Sequence, residues 1–220
     1  MVVAYIGFKI EIKVKNYSVR PYQESDYELW NTFVSAAKNA TFLFHRDFME
    51  YHKERFEDFS LLVFDKVKLV AVLPANRIDN KVYSHQGLTY GGLVYASKLK
   101  IEKIEVILDL LFDFFKSKRI EHFYLHPIPS FYLGQGNAAI DFFLMKRGAQ
   151  LYRKEMNMVA HLHQEIPISR SKLKHFRRTE VLGLRVVEET NFQPFWEKIL
   201  EPRLAEKYAA KPVHSLAEIQ

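Results

Sequence analysis

The sequence predicts a mixed α/β fold in which helices cover a central sheet. Residues 59–64 and 69–73 are apolar runs on either side of a short polar segment, and this pattern is typical of a β-hairpin. Residues 101–115 instead place apolar side chains at three- and four-residue steps, which is the period of an amphipathic helix. Because both kinds of segment alternate along the chain, we expect helices packed against a sheet.

The N-terminal half begins with two strand patterns. Residues 6–14 alternate apolar with polar side chains, and residues 17–20 form a second short strand pattern that Pro21 ends. Asp26 then precedes an amphipathic helix at 27–37. The remaining predicted segments of this half are a helix at 46–56, the hairpin, strands at 82–85 and 92–95, and a turn and bulge at 87–93. The alternative interpretation of 87–93 is a phosphate-binding loop formed by its glycines.

The C-terminal half shows the same two periods. Ser97 is a residue type favoured at helix N-caps, and we expect it to cap the long helix. Gly148 should end a second helix, and Pro202 should kink or split a later one. The predicted elements of this half are strands at 122–125, 152–162 and 184–187 and helices at 101–115, 138–147, 170–178 and 192–208.

Composition limits the functional classes. The 220 residues are 48% hydrophobic and 26% charged, which is typical of a folded globular protein. The absence of cysteine excludes disulfides, thiolate metal sites and a cysteine nucleophile, and it favours a cytoplasmic location. No apolar run approaches the ~20 residues of a membrane span. His161 and His163 share one face of a predicted strand but lack an obvious third ligand, so we expect no metal site.

The two ends of the chain resemble each other. Residues 19–30 and 186–196 both follow the order strand, polar turn, aromatic residue and helical tryptophan. We therefore predict a first domain at 17–165, a basic linker helix at 166–183, and the incomplete start of a second similar domain at 184–220. Residues 1–16 are either an extra strand or an extension. The apolar stripe of the last predicted helix should fold back on the first domain or join two copies in a homodimer.

Three segments carry a family resemblance. Residues 19–26 resemble the first strand and turn of the GNAT superfamily of N-acyltransferases, and residues 139–149 are similar to its late helix. Residues 171–186 resemble the basic inter-domain helix of Fem-type (FemABX-like) acyltransferases, which carry two such domains in tandem. The resemblance implies a GNAT-like fold and transfer of an acyl or aminoacyl group to an amine, as in a peptidoglycan (cell-wall) precursor or an amino sugar. It implies acyl-CoA or aminoacyl-tRNA as donor, and hence tRNA as a partner.

One departure from the family leads to a second hypothesis. Family members that use acetyl-CoA hold its pyrophosphate on a glycine-rich loop at a helix N-terminus. The matching junction here, residues 93–100, contains no glycine. We therefore expect weak acetyl-CoA binding, and the alternative to an enzyme is a non-catalytic substrate- or polyanion-binding module of the same fold.

Two sets of residues are candidates for binding, whereas the sequence identifies no catalytic residue. By resemblance to Fem-type enzymes, His52 or Lys53 would contact substrate, and a solvated charged helix face is the alternative interpretation. Lys174, Arg177 and Arg178 fall on one side of the predicted basic helix. They would bind a polyanion, such as tRNA or a CoA phosphate, or else belong to a solvated linker.

Overall fold

The structure is a computed structural model that describes residues 2–5, 16–132, 138–156 and 158–219. The chain forms two compact units, Met1–Glu155 and Met156–Gln220. The first contains all of the described strands, and the second is built from helices and connecting segments. The mixed α/β class predicted from the sequence is therefore confirmed in the first unit.

The strands of the first unit form two sheets. The four-stranded sheet is antiparallel throughout and has the order β2 (Tyr17–Pro21), β4 (Leu61–Asp65), β5 (Lys68–Leu73), β8 (Val94–Tyr95). The six-stranded sheet has the order β10 (Gln150–Leu151), β1 (Val2–Tyr5), β9 (His122–Leu125), β7 (Lys81–Tyr83), β6 (Asn76–Ile78), β3 (Glu57–Asp58). Its pairs are antiparallel except β7 and β9, which run parallel.

Helices cover the two sheets unequally. The helices are α1 (Tyr27–Ala36), α2 (Arg46–Met49), which continues as the 3-10 helix Glu50–Arg55, α3 (Ile101–Ser117) and α4 (Ala138–Lys146). Apolar residues of α3 and α4 pack in one core with residues of both sheets. Trp30 and Val34 of α1 pack in a second core whose strand residues, such as Leu62 and Val72, belong to the four-stranded sheet. The four-stranded sheet is therefore buried on both faces, and β7 and β9 contribute to the α3 side alone.

An ion-pair network joins α3 to the end of α4. Asp109 lies 2.6 Å from Arg147 Nη2, and both side chains are only 10% exposed. Glu105 lies 2.8 Å from Lys146 Nζ. Gly148 then adopts a positive φ of 78° and ends the helix, as the sequence predicted. These contacts fix the register of the two helices beneath the sheets.

The second unit begins with α5 (Arg170–Val181), where Ser169 accepts a hydrogen bond from the Lys172 N–H as N-cap. It continues through α6 (Gln193–Phe195), a π-helical turn at Trp196–Leu200, α7 (Glu201–Tyr208) and α8 (Leu216–Ile219). Pro202 falls in the first turn of α7, directly after the π-helical turn, so the N–H that it lacks coincides with the change in the helical hydrogen-bond pattern. The predicted split at this proline therefore takes the form of a change from a π-helical to an α-helical turn.

Several sequence predictions differ from the structure. The predicted strand at 152–162 is wrong: the strand in this region is Gln150–Leu151, and residues 152–156 and 158–162 pair with no neighbouring strand among the described residues. The predicted strand at 184–187 is absent for the same reason, and its apolar side chains are exposed. The long helix begins at Ile101 with Lys100 rather than Ser97 as N-cap, since a turn occupies the preceding residues.

Other predicted segments are shorter than expected or were missed. The helix predicted at 46–56 consists of α2 and the 3-10 helix, and strands β3 and β6 were not predicted. The strand predicted at 6–14 lies outside the described residues. Within the described residues, no helix is long and apolar enough to cross a membrane.

Candidate active site

The candidate site lies where the parallel strands β7 and β9 end. In open α/β sheets, ligands bind in the crevice beyond the carboxyl ends of parallel strands. Two residues directly follow β7, Ser84 and His85, and one follows β9, His126. The topology therefore brings two imidazoles and a hydroxyl to one edge of the sheet.

Hydrogen bonds continue the pairing past both strand ends. The Ser84 N–H donates to the Tyr124 carbonyl at 2.9 Å, and the His126 N–H donates to Ser84 Oγ at 2.9 Å. The Gly91 N–H then donates to the His126 carbonyl at 2.7 Å. The backbone around His126 is thus held on both sides, by Ser84 and by Gly91.

Between Ser84 and Gly91 the chain leaves the sheet and returns, and we call residues 85–90 the excursion loop. The loop can close because residue 91 is glycine. A Cβ at Gly91 would lie 1.8 Å from the Ser84 carbonyl oxygen, which no other residue could accommodate without moving the backbone. This close approach brings the two ends of the excursion loop together, so the turn and bulge predicted at 87–93 has a structural role.

His85 begins the excursion loop in an unusual conformation. Its φ is 69°, in the left-handed region that a histidine rarely adopts, and the residue is 6% exposed. The Gly87 N–H donates to His85 Nδ1 at 3.2 Å, which leaves the proton of the neutral ring on Nε2. Behind it, the fully buried Asn76 donates to Gln86 Oε1 at 2.9 Å and accepts from the Gln86 N–H. A buried histidine in the left-handed region, next to a residue anchored by a buried asparagine, is typical of functional sites.

His126 is the candidate proton acceptor at this edge of the sheet. Its side chain is half-buried, and burial lowers the pKa of the imidazole below its usual range. The nearby charges of Arg153 and Glu155 shift the same pKa in opposite directions. Because the neutral ring is favoured, His126 can accept a proton near neutral pH.

The residues predicted to bind substrate lie on a different element. His52 and Lys53 belong to the 3-10 helix Glu50–Arg55 that follows α2. Lys53 is exposed, and the His52 side chain lies outside the described part of the chain. The structure does not place the two residues at the ends of β7 and β9, and their assignment stays a prediction.

A buried arginine anchors this segment. The Arg46 guanidinium carbon lies 3.3 Å from the ring centroid of Tyr22 and 4.1 Å from that of Trp30, and Nη1 lies 2.6 Å from Asp58 Oδ2. Burial lowers the pKa of Arg46, and burial also raises the pKa of Tyr22 to about 12. Both groups keep their usual charge at neutral pH, so a cation–π and ionic contact holds the start of α2 against the sheet.

The predicted polyanion-binding residues all lie on α5 in the second unit. Lys174, Arg177 and Arg178 are exposed, and in the described part of the chain none of them has an acidic partner. Their spacing of three and four residues places them on adjacent turns of one side of the helix. Their binding role stays a prediction.

The junction predicted to meet the donor connects β8 to α3. The Leu99 N–H donates to the Ala96 carbonyl at 2.9 Å, and Lys100 is the N-cap of α3 without a side-chain capping bond. Lys98 and Lys103 are close to this helix N-terminus in sequence. Uncapped N–H groups with nearby lysines favour the binding of an anionic group at this helix N-terminus. They do so although the junction lacks the glycine-rich loop of the family members that use acetyl-CoA.

The structure contains no evident metal centre in the residues that it describes. No group of three or more potential ligands comes together there. His161 and His163 are exposed and lie outside any strand, so the shared strand face predicted for them is absent.

Sequence reasoning missed Ser84, His85 and His126 because no motif connects them. The available signal was weaker: residues 82–85 and 122–125 were both predicted as strands, and histidine stands at or just after the end of each. Without knowing that the two strands are parallel neighbours, nothing distinguished these histidines from the others.

Comparison with known proteins gives limited similarity. No family model matches the chain, and no curated protein matches it in sequence. One similar solved structure is a ribosomal-protein-S18-alanine N-acetyltransferase from Escherichia coli, with 13% identity, a TM-score of 0.45, and coverage of 60% of this chain and 76% of that one. Another is L-PGS from Bacillus licheniformis, with 11% identity, a TM-score of 0.40, and coverage of 62% of this chain and 47% of that one. These values do not assign a family or a function.

Proposed function

We propose that the first unit is a GNAT-like N-acyltransferase domain that transfers an acyl or aminoacyl group to an amine. The observation that carries the proposal is the position of His126, a half-buried histidine directly after β9 at the carboxyl end of the parallel β7–β9 pair, where burial lowers its pKa. The family resemblance of the sequence supports the same reaction. An amine on a peptidoglycan precursor or an amino sugar is the proposed acceptor.

The reaction requires one proton acceptor at the amine. An ammonium group cannot attack a carbonyl, so His126 would take its proton and leave a lone pair on nitrogen. That lone pair forms the new C–N bond, after which the nitrogen still carries one proton more than the amide product. The bond from the acyl carbon to the donor breaks, the leaving group departs with the electron pair, and it takes this second proton to leave as a thiol or a hydroxyl, while His126 keeps the first proton. The protein must therefore hold the amine beside His126, and Ser84 and Gly91 fix that residue's backbone.

The donor is proposed to be acyl-CoA or aminoacyl-tRNA. Both carry phosphate groups, and the uncapped N-terminus of α3 with the nearby Lys98 and Lys103 supports an anion-binding role for this junction. His52 and Lys53 remain the proposed contacts to substrate. A donor larger than acetyl-CoA would gain affinity from contacts outside the glycine-free junction.

An acylation assay tests the proposal. The full chain is incubated with acyl-CoA or aminoacyl-tRNA and a panel of amines, and the product is measured by mass spectrometry. We expect His126→Gln to lower the rate by about 10²–10⁴-fold, since this is the usual contribution of a general base. The control His161→Gln changes an exposed histidine of the second unit and should leave the rate unchanged. Equal rates for both variants would contradict the role of His126.

The alternative function is a non-catalytic polyanion-binding module, and the unpaired basic side of α5 favours it. Replacing Lys174, Arg177 and Arg178 with glutamine should weaken tRNA binding. It should also lower the slope of log affinity against log salt by about 2–3, because each phosphate contact contributes about 0.7–0.9. An unchanged slope would refute the binding surface. Binding without acylation of any amine would favour the module over the enzyme.

A further inference from the structure

One face of the six-stranded sheet differs chemically from the other. Along β7 and β9, Val82, Phe123 and Leu125 are at most 3% exposed and face the α3 core. The alternate residues are half-buried and lie on the opposite face, and we call them the tyrosine face: Lys81, Tyr83, His122, Tyr124 and His126. The core that contains α1 includes no residue of β7 or β9, so within the described part of the first unit α1 does not cover this face.

The centre of the tyrosine face is a stacked pair of tyrosine rings. Tyr83 and Tyr124 are cross-strand partners whose rings stack at a centroid distance of 4.8 Å and an angle of 11°. The Tyr152 ring lies against Tyr124 at 5.8 Å and 81°. Neither the Tyr83 nor the Tyr124 hydroxyl has a hydrogen-bond partner among the described residues. Each ring covers one face of the other, and the two phenol groups can hydrogen-bond to a hydroxylated ring.

The two ends of the tyrosine face have different charge properties. Lys81 stands at one end, opposite His122, and no acidic side chain in the described part of the chain pairs with it. His126 stands at the other end, four residues further along β9, which corresponds to roughly 13 Å at about 3.3 Å per residue. The unpaired ammonium complements an anion, and the neutral imidazole complements an amine that must lose a proton.

We propose that the tyrosine face is the acceptor-binding surface, and that the acceptor is an anionic amino sugar. Its ring hydroxyls bind Tyr83 and Tyr124, its acidic substituent binds Lys81, and its amine lies at His126. The proposal rests on the proposed acyl transfer for the role of His126. Binding itself can be measured without any acyl donor, so the two can fail separately.

Calorimetry on the full chain with three probes tests this surface. Glucosamine 6-phosphate carries the ring hydroxyls, the anion and the amine that the proposal requires. Glucosamine lacks the anion, and glucose 6-phosphate lacks the amine. We expect glucosamine 6-phosphate to bind at least about 5-fold more tightly than either of the others, since each omits one polar contact. No binding of glucosamine 6-phosphate up to about 10 mM, or equal affinity for all three, would overturn the proposal.

Variants locate the binding on this surface. Lys81→Gln should weaken glucosamine 6-phosphate about 10-fold but leave glucosamine unchanged, and Tyr124→Phe should weaken both sugars about 5-fold. The controls Lys68→Gln and Tyr208→Phe change exposed residues elsewhere and should have no effect. Unchanged affinity in folded Lys81→Gln and Tyr83→Phe variants would overturn the assignment. If the sugar binds here but is never acylated, the surface stands and the proposed transferase function fails.

Discussion

The cation–π contact of Arg46 allows a quantitative prediction about the segment that carries His52 and Lys53. The Arg46 side chain is 2% exposed and that of Asp58 is 41% exposed, with 2.6 Å between Nη1 and Oδ2. Removing one partner of a fully buried pair costs about 3–5 kcal/mol. Because Asp58 is partly solvated, we reduce this to about 2 kcal/mol for Asp58→Asn, a change that keeps an oxygen to accept the Ser60 N–H.

Removing the arginine instead of the aspartate should lower the free energy of unfolding by a similar amount, for a different reason. Arg46→Met keeps most of the buried volume and removes the desolvated charge, but it loses contacts to two aromatic rings, which together contribute about 2 kcal/mol. In the double variant there is no buried cation left without a counter-ion. We therefore expect the double variant to be about 1–2 kcal/mol more stable than the sum of the single effects predicts.

Urea unfolding of the four proteins measures this coupling. An exposed pair, Lys116 and Asp113 at 4.0 Å, supplies the control cycle, and its coupling should stay below about 0.5 kcal/mol. If the Arg46 and Asp58 effects are additive within about 0.5 kcal/mol, the ion pair does not anchor α2 and the reasoning is refuted.

Three further predictions concern pH, cofactor and association. Because burial lowers the native pKa of His126 below its unfolded value, the unfolded state binds more protons as pH falls through that range, and stability falls with it. The unfolding free energy of His126→Gln, measured with urea, should therefore fall less between pH 7.5 and 5 than that of the unchanged protein. If the two proteins lose the same free energy over this range, another group causes the loss. Acetyl-CoA should bind the full chain with a Kd weaker than about 100 μM, and a micromolar value in calorimetry would contradict the importance of the missing glycines. Phe195 and Ile199 are exposed, and we expect two copies of the chain to associate through them as a dimer. Light scattering should show a dimer for the unchanged chain and a monomer for the F195S/I199S double variant. A monomer of the unchanged chain would refute this prediction.

Local patterns in the sequence predicted the elements whose neighbours are close along the chain. The hairpin of β4 and β5 and the helix α3 were predicted because their apolar periods are strong and each pairs or packs with elements nearby. The long strand at 152–162 was predicted wrongly, since the residues of one segment cannot show whether a partner strand exists. The same limitation applies to 184–187.

The candidate site was less predictable than the fold. Lys174, Arg177 and Arg178 are visible in the sequence because a helix displays its own charge pattern. The tyrosine face and the edge formed by Ser84, His85 and His126 depend on the parallel pairing of β7 with β9, whose sequence positions are about 40 residues apart. Single-sequence periodicity contains no information about that register, so residues from the two strands could not be grouped.

The central claim is that His126 accepts the proton of the amine, and the pH dependence of acyl transfer tests it most directly. With an amine that the full chain acylates, the account predicts that kcat/KM falls as pH drops, with an apparent pKa below the usual histidine value of ~6.5. The residual rate of His126→Gln should lack that titration, whereas His161→Gln should keep it. A titration that persists unchanged in His126→Gln would contradict the account.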